Sequence, residues 1–213
     1  KTHEQFVKEY LSNTVFMYNA IDATKIPLRV KPVKVEKEEN PKNKVGRPKK
    51  SEVKEPKQPT ILQQQQTMTT TKEMLSLVST HCGVGIKQNS KGNREVWIGG
   101  KLHISAVDGD IPVAAFYSGA NVHDSSVALP LINETSKRVN YLYDLQDAGY
   151  DSNIIRDLSK KLGHCPIIDI NPKNSKELKA KIELQKEEKR KFEMLLLPQN
   201  SDTHHYNQRS MVE

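Results

Sequence analysis

Three carboxylates in this chain stand where a hard divalent cation could be held. Asp22 ends an apolar run of strand length, Thr14 to Asp22, and Asp147 directly follows another, Val139 to Gln146. If those two strands are parallel neighbours, both side chains emerge at one sheet edge, where αβ folds tend to place their sites. Glu213 lies on a terminal helical stretch with Tyr206 and Arg209, at offsets that put all three on one face. Three such carboxylates suit two Mg²⁺ ions, which prefer oxygen ligands and keep several waters. One ion of such a pair lowers the pKa of an attacking water or 3′-hydroxyl. The other stabilises charge on the leaving oxygen of an in-line phosphoryl displacement, so no covalent nucleophile is needed. The planar fork of Arg209 matches phosphate oxygens better than a lysine would. A lone aspartate at a strand end is more often a solvated cap. Spacing alone therefore does not separate these three from the chain's 26 acidic residues.

The elements that must position them are legible as a series. A helical tail, Lys1 to Leu11, precedes the first strand. Val96 to Val107 and Ile111 to Ser118 read as two strands joined by the turn Asp108-Gly109-Asp110. Asp124 and Ser125 are plausible N-caps for a helix carrying Val127, Leu131 and Ile132. After the strand that precedes Asp147, Asp151 and Ser152 are expected to cap a helix with Ile154, Ile155, Leu158 and Leu162 on one face, closed by Gly163. Pro166 to Ile170 follows as a short buried strand, then a charged helix over Ser175 to Met194 and another from about His204. A hairpin-rich start followed by βαβ units predicts a mixed sheet flanked by helices.

Between Lys31 and Lys72 the composition changes: only 7 of 42 residues are hydrophobic, and the segment includes the run Gln63 to Gln66. Such a stretch buries too little surface to offset its ordering entropy, so disorder is the expectation there. The chain accordingly divides into a first strand region (1–30), a basic low-complexity insertion (31–72) and the remainder of the domain (73–213). Residues 31–57 hold 10 basic and 5 acidic residues, which is +5 of the chain's net +7. That charge favours a polyanionic partner such as nucleic acid. Within it, Lys44-Val45-Gly46-Arg47-Pro48-Lys49-Lys50 resembles an AT-hook, a Gly-Arg-Pro core that enters a narrow A·T minor groove. Val45 replaces the usual basic residue, and a solvated basic linker is the plainer reading of Arg47, Lys49 and Lys50. Cys82 and Cys165 form no CxxC pair, so a reducing cytoplasm is the default compartment. No apolar run reaches the ~18 residues needed to span a membrane.

A family resemblance singles out the three carboxylates. Tyr206-Asn207-Gln208-Arg209-Ser210-Met211-Val212-Glu213 is similar to the Tyr-x2-Arg-x3-Glu part of the Tyr-Arg-Glu-Lys signature of bacterial insertion-sequence transposases of the DDE type. Asp147-Ala148-Gly149-Tyr150-Asp151-Ser152 resembles the segment of their second catalytic aspartate, and Ile21-Asp22-Ala23-Thr24 that of the first. Gly99-Gly100-Lys101-Leu102-His103, Ile111-Pro112-Val113 and Ala120-Asn121-Val122-His123-Asp124-Ser125 add to it in the family's order. The resemblance spans roughly Thr14 to Glu213 apart from the insertion. It implies a ribonuclease-H-like fold, the metal-binding and catalytic triad Asp22, Asp147 and Glu213, two Mg²⁺ ions (with Mn²⁺ as substitute), and DNA contacts by Tyr206 and Arg209. Double-stranded DNA as partner, a homodimer in the DNA complex and a bacterial, nucleoid-associated location follow from the same likeness. The signature's lysine and an N-terminal DNA-end-recognition domain are not in the chain. Both ends read as cuts, and the truncation is expected to compromise activity.

Other signals are weaker. His81-Cys82, His164-Cys165 and His204-His205 are adjacent pairs rather than spaced like zinc ligands. Asp108 and Asp110 are explained by their turn, and Asp124 first by a helix cap. Trp97 and Tyr117 read as core or sheet-face aromatics. Lys179 to Lys191 reads as a solvated helical face that could line a DNA path. Three functions remain open: a transposase, a non-catalytic DNA-binding remnant relying on the basic insertion, and a ribonuclease-H-like nuclease that cuts without joining.

Overall fold

The computed structural model describes residues 2–32, 58–88, 92–173 and 175–194, with side chains to residue 188 of the last helix. Its strands are β1 (Val15–Pro27), β2 (Gly83–Gln88), β3 (Arg94–Val107), β4 (Ile111–Gly119), β5 (Asn140–Gln146) and β6 (Cys165–Ile168). The helices are α1 (His3–Phe6, continued by a π turn, Val7–Leu11), α2 (Ile61–Gln66), α3 (Thr71–Ser76), α4 (Ser125–Arg138), α5 (Asn153–Lys161) and α6 (Lys176–Met194). Among the described residues the six strands form one sheet in the order β2-β3-β1-β5-β6, with β4 also on β3. Pairing is antiparallel for β1 with β3, β2 with β3 and β3 with β4, and parallel for β1 with β5 and β5 with β6. Because β1 occupies one edge of β3, β2 and β4 lie end to end along the other edge. An antiparallel meander that passes into parallel strands through α4 and α5 is the ribonuclease-H-like arrangement, as expected.

The sheet is held by apolar residues recurring at the period each element demands. From α4, Val127, Ala128, Leu129, Leu131 and Ile132 are all buried and form one cluster with Ile21 of β1, Met74 of α3, Ile155 of α5 and Ile168 of β6. Fully burying a side chain of this kind contributes roughly 1.5–3 kcal/mol. A second cluster, Val7, Phe16, Val107, Val113, Val139 and Tyr141, ties the N-terminal helix to the sheet. Along β1, Tyr18 and Ala20 join a third cluster with Leu145, while Ile21 belongs to the first; that division follows the two-residue period of a strand.

Several expectations are revised. β1 does not end at Asp22. It runs on to Pro27 because β3 keeps pairing with it, from Asn19 opposite Val107 to Pro27 opposite Gly99, after β5 has stopped. β2 was not foreseen, since two of its six residues are glycine and weaken the strand signal. Gly85 is required there, because an added Cβ would lie 2.4 Å from the Trp97 ring. Disorder through residue 72 does not hold for residues 58–72. Thr60 with Gln63, and Thr70 with Glu73, form capping boxes that start α2 and α3. The buried Gln65 donates to the carbonyls of Met74 (3.0 Å) and Ser126 (2.8 Å), joining both short helices to α4. Composition misled because two capping boxes, the two bonds donated by Gln65 and a few apolar anchors, Leu62 and Met74 among them, fix these helices in an otherwise polar stretch. Residues 33–57, with Arg47, Lys49 and Lys50, lie outside the described residues.

The turn Asp108-Gly109-Asp110 joins β3 to β4 as expected, with positive φ at Gly109 and Asp110. Asp108 also accepts from the backbone N–H groups of Met17 and Tyr18. The end of α5 forms as read. Gly163 (φ +90°) follows the C-cap Leu162, its N–H bonds to Lys160 O, and His164 N–H reaches Ser159 O. A Cβ at Gly163 would meet nothing within 4 Å. Gly163→Ala is therefore expected to cost only its backbone strain, about 1–2 kcal/mol, read as a lower urea midpoint at unchanged slope. α6 carries the anticipated charged stretch, its described side chains exposed or half-buried. No described helix is long and apolar enough to cross a membrane.

Candidate active site

The parallel pairing of β1 with β5 decides the site. Ile21 stands opposite Gln146, so the next residues, Asp22 and Asp147, fall side by side where β5 ends. β1 continues beyond Asp22 with Ile104 of β3 across from it, so that aspartate sits within a strand paired on its β3 side. Each carboxylate is steadied locally: Asp22 Oδ1 accepts from Ala23 N–H at 2.7 Å, and Asp147 Oδ1 from Gly149 N–H at 2.8 Å. Asp147 thereby starts the tight turn Ala148–Tyr150 and cannot follow the strand any further.

Both aspartates line a cleft of about 860 Å³ that also receives Asp124, Lys101, Lys25 and Lys87. Asp124 takes the expected N-cap position of α4, but its side chain does not cap the helix. Its own backbone is already helical (φ −59°, ψ −38°) and its side chain makes no cap bond, since capping needs an extended residue there. Instead Asp124 accepts from Lys101 Nζ at 2.8 Å, and Lys101 also donates to Val122 O at 2.8 Å. The Ser125 N–H is taken by His123 Nδ1 at 3.3 Å. Asp151 and Ser152 likewise make no cap bond on α5. The Asp151 carboxylate meets Arg156 and the Asn171 N–H, both at 3.0 Å, and those partners hold it below the usual carboxylate range against the effect of burial. Lys25 pairs with Glu95 across the cleft wall.

Tyr150, which closes the turn begun by Asp147, is 1% exposed, and its hydroxyl has no hydrogen-bond partner among the described residues. Burial first, then the charges of Asp124, Asp22 and Asp147, push its phenol well above the ordinary tyrosine range. His103, next to this site on β3, is fully buried, and burial lowers its pKa to about 4. It is neutral near pH 7 and shares a hydrogen bond with Ser118 Oγ at 2.7 Å, which makes it part of the scaffold.

The donor set fits a hard divalent cation: two carboxylates side by side, one on β1 and one directly after β5, lining one cleft. Among the described residues no three His, Cys, Asp or Glu side chains gather closely enough to hold a metal by themselves. Glu213, Tyr206 and Arg209, expected on one helical face, lie outside the described residues. The candidate zinc pairs have other roles where they are described. His164 stacks on Tyr141 and bonds Ser136, and Cys82 and Cys165 are free. Trp97 is buried over Gly85 as a sheet-face aromatic and also forms part of the cleft wall.

The sequence reading missed Lys101 and Asp124 as members of the cleft. Both fall in family-like segments, the one signal that could have found them. Comparison with curated proteins and with solved structures gives no match to this chain. Residues 20–213, which include both aspartates and the whole cleft, match the family model for the transposase DDE domain, and the chain belongs to that family.

Proposed function

We propose that this chain is the catalytic domain of a DNA transposase that cuts and rejoins phosphodiester bonds at the ends of an insertion sequence. The placement of Asp22 beside Asp147 by the β1–β5 register is the observation that carries this reading. Asp22 and Asp147, with Glu213 as the third carboxylate, are the residues to hold divalent ions, Mg²⁺ by preference and Mn²⁺ as substitute. Such ions, when bound, activate the attacking oxygen and stabilise charge on the leaving one.

The chain's own residues supply the rest. The Ala23 and Gly149 amides hold the two carboxylates in fixed rotamers, which limits the reorganisation that binding requires. Lys101 brings a positive charge, 15% exposed on its side chain, to the wall of the same cleft. There it balances the aspartates and offers a contact to a backbone phosphate. Tyr206 and Arg209 are assigned to DNA on the strength of their place in the signature. Double-stranded DNA is the partner, and a homodimer on paired DNA ends is the expected assembly.

A product assay tests this. The protein is incubated with Mg²⁺, a supercoiled plasmid and a labelled duplex made from the DNA that flanks its reading frame. The expected products are a cut leaving a 3′-hydroxyl and a covalent joint between that end and the plasmid. Cutting without joining would replace the transposase reading by a nuclease, and neither product would overturn both.

A further inference from the structure

Lys101 and Asp124 meet on the wall of the cleft that Asp22 and Asp147 line. The Lys101 ammonium donates to Asp124 Oδ1 and to the Val122 carbonyl, both at 2.8 Å. An ammonium carries three N–H donors, so one remains, and none of the described residues accepts it. The other two lysines of the cleft, Lys25 and Lys87, are exposed, and Lys25 is paired with Glu95; Lys101 is the half-buried one.

A solvated lysine loses rotamer freedom when it grips a ligand, which weakens the contact it makes. Lys101 has lost that freedom already, because two acceptors fix the end of its side chain. The plainer role of the pair is a staple between β3 and the chain just before α4. Yet the Asp124 side chain is 37% exposed, and an ion pair so open to water adds little stability. Asp124 is not an extra metal ligand either. Among the described residues no three carboxylates gather around one point, so it stands apart from Asp22 and Asp147.

We propose that Asp124 is a positioning residue: with the Val122 carbonyl it holds Lys101 so that the remaining N–H donates to a phosphate oxygen of the DNA strand in the cleft. Such a contact places the strand against the two aspartates and reads no base. This rests on the reading of DNA as the substrate of the site.

A labelled duplex made from the DNA that flanks the reading frame is titrated with the full chain, without metal, over a range of salt concentrations. Its cleavage is then timed with Mg²⁺ and the protein in saturating excess, and thermal unfolding checks that each variant folds. Lys101→Met and Lys101→Gln are each expected to lower the slope of log affinity against log salt by about 1, the mark of one lost phosphate contact. Asp124→Asn keeps the lysine and takes a negative charge out of the cleft. It should bind the duplex at least as tightly as the parent, yet cut it about 10-fold or more slowly, because the ammonium is no longer held in place. The double variant Lys101→Met/Asp124→Asn should cut no more slowly than Lys101→Met, since Asp124 acts through Lys101. A mere staple would lower the melting temperatures and leave both the slope and the cutting rate alone. If the parent binds and cuts, an unchanged slope in both Lys101 variants, or parent-like cutting by Asp124→Asn, overturns the proposal and leaves the DNA reading standing. A parent that does not cut the duplex overturns that reading as well.

Discussion

Asp22→Asn is expected to abolish strand cleavage while DNA binding stays nearly unchanged. The substitution keeps the size of the side chain and an oxygen able to accept from the Ala23 N–H, so β1 keeps its place between β3 and β5. What it removes is one negative charge from a pair of carboxylates set side by side. If those carboxylates hold the ions that stabilise the transition state, the loss is worth several kcal/mol, on the order of 10³-fold or more in rate. Binding is expected to survive because phosphate contacts come from lysine and arginine. Asp147→Asn should do the same, and the double variant should be hardly worse than either, since groups that act as a unit are not additive. A cleavage time course beside a gel-shift titration on the same duplex decides it. Retained cleavage in Asp22→Asn would sink the assignment of Asp22 as a metal-binding residue.

The second large effect lies three residues earlier on β1. Asn19 is fully buried and donates from Nδ2 to Asp144 Oδ1 at 2.9 Å, while its Oδ1 accepts from Ser105 Oγ at 2.6 Å. Ser105 Oγ also meets Thr135 Oγ1 at 2.7 Å, and Ser159 Oγ donates to the other oxygen of Asp144. One polar network therefore joins β1, β3, β5, α4 and α5, the elements that carry the site. Asn19→Ala strips Asp144 of a donor and leaves Ser105 short of an acceptor. The expected loss is on the order of 3 kcal/mol.

That loss should depend on pH in a definite direction. Burial raises the Asp144 carboxyl above its ordinary range; the bonds from Ser159 and Asn19 and the nearness of His164 pull the other way without cancelling it. A folded-state pKa above the unfolded one means a contribution fully present below the unfolded pKa and lost as pH rises through the folded value. Removing the Asn19 donor penalises the charged form further, so the mutant should lose more at about pH 7 than at about pH 4. Urea unfolding of the parent and Asn19→Ala at both values is the measurement. A loss that is larger in acid would contradict this account of Asp144.

How much of this could be read beforehand depends on the range of the interaction. The β3–β4 hairpin and the end of α5 were legible because Asp108-Gly109-Asp110 and Gly163 act within a few residues. The strand before Asp147 was equally plain, an apolar run stopped by a turn. Polar residues defeated the reading wherever their partners were distant in sequence. Gln65 looked like part of a solvated glutamine run, yet it bonds Ser126, 61 residues away. Asp124 looked like a cap, yet its partner is Lys101, 23 residues back on another strand.

The sequence by itself determined the β3–β4 hairpin, the order of β1, α4, β5, α5 and β6, and Asp147 at a strand end, since periodicity and turn chemistry are local properties of the chain. It left the meeting of Asp22 and Asp147 conditional on a parallel pairing between segments more than a hundred residues apart. Only the tertiary structure decided that, because register between distant strands is set by which apolar faces bury together, and no local signal encodes it. The same packing turned Asp124 toward Lys101, completing a cleft that the linear order of residues does not reveal.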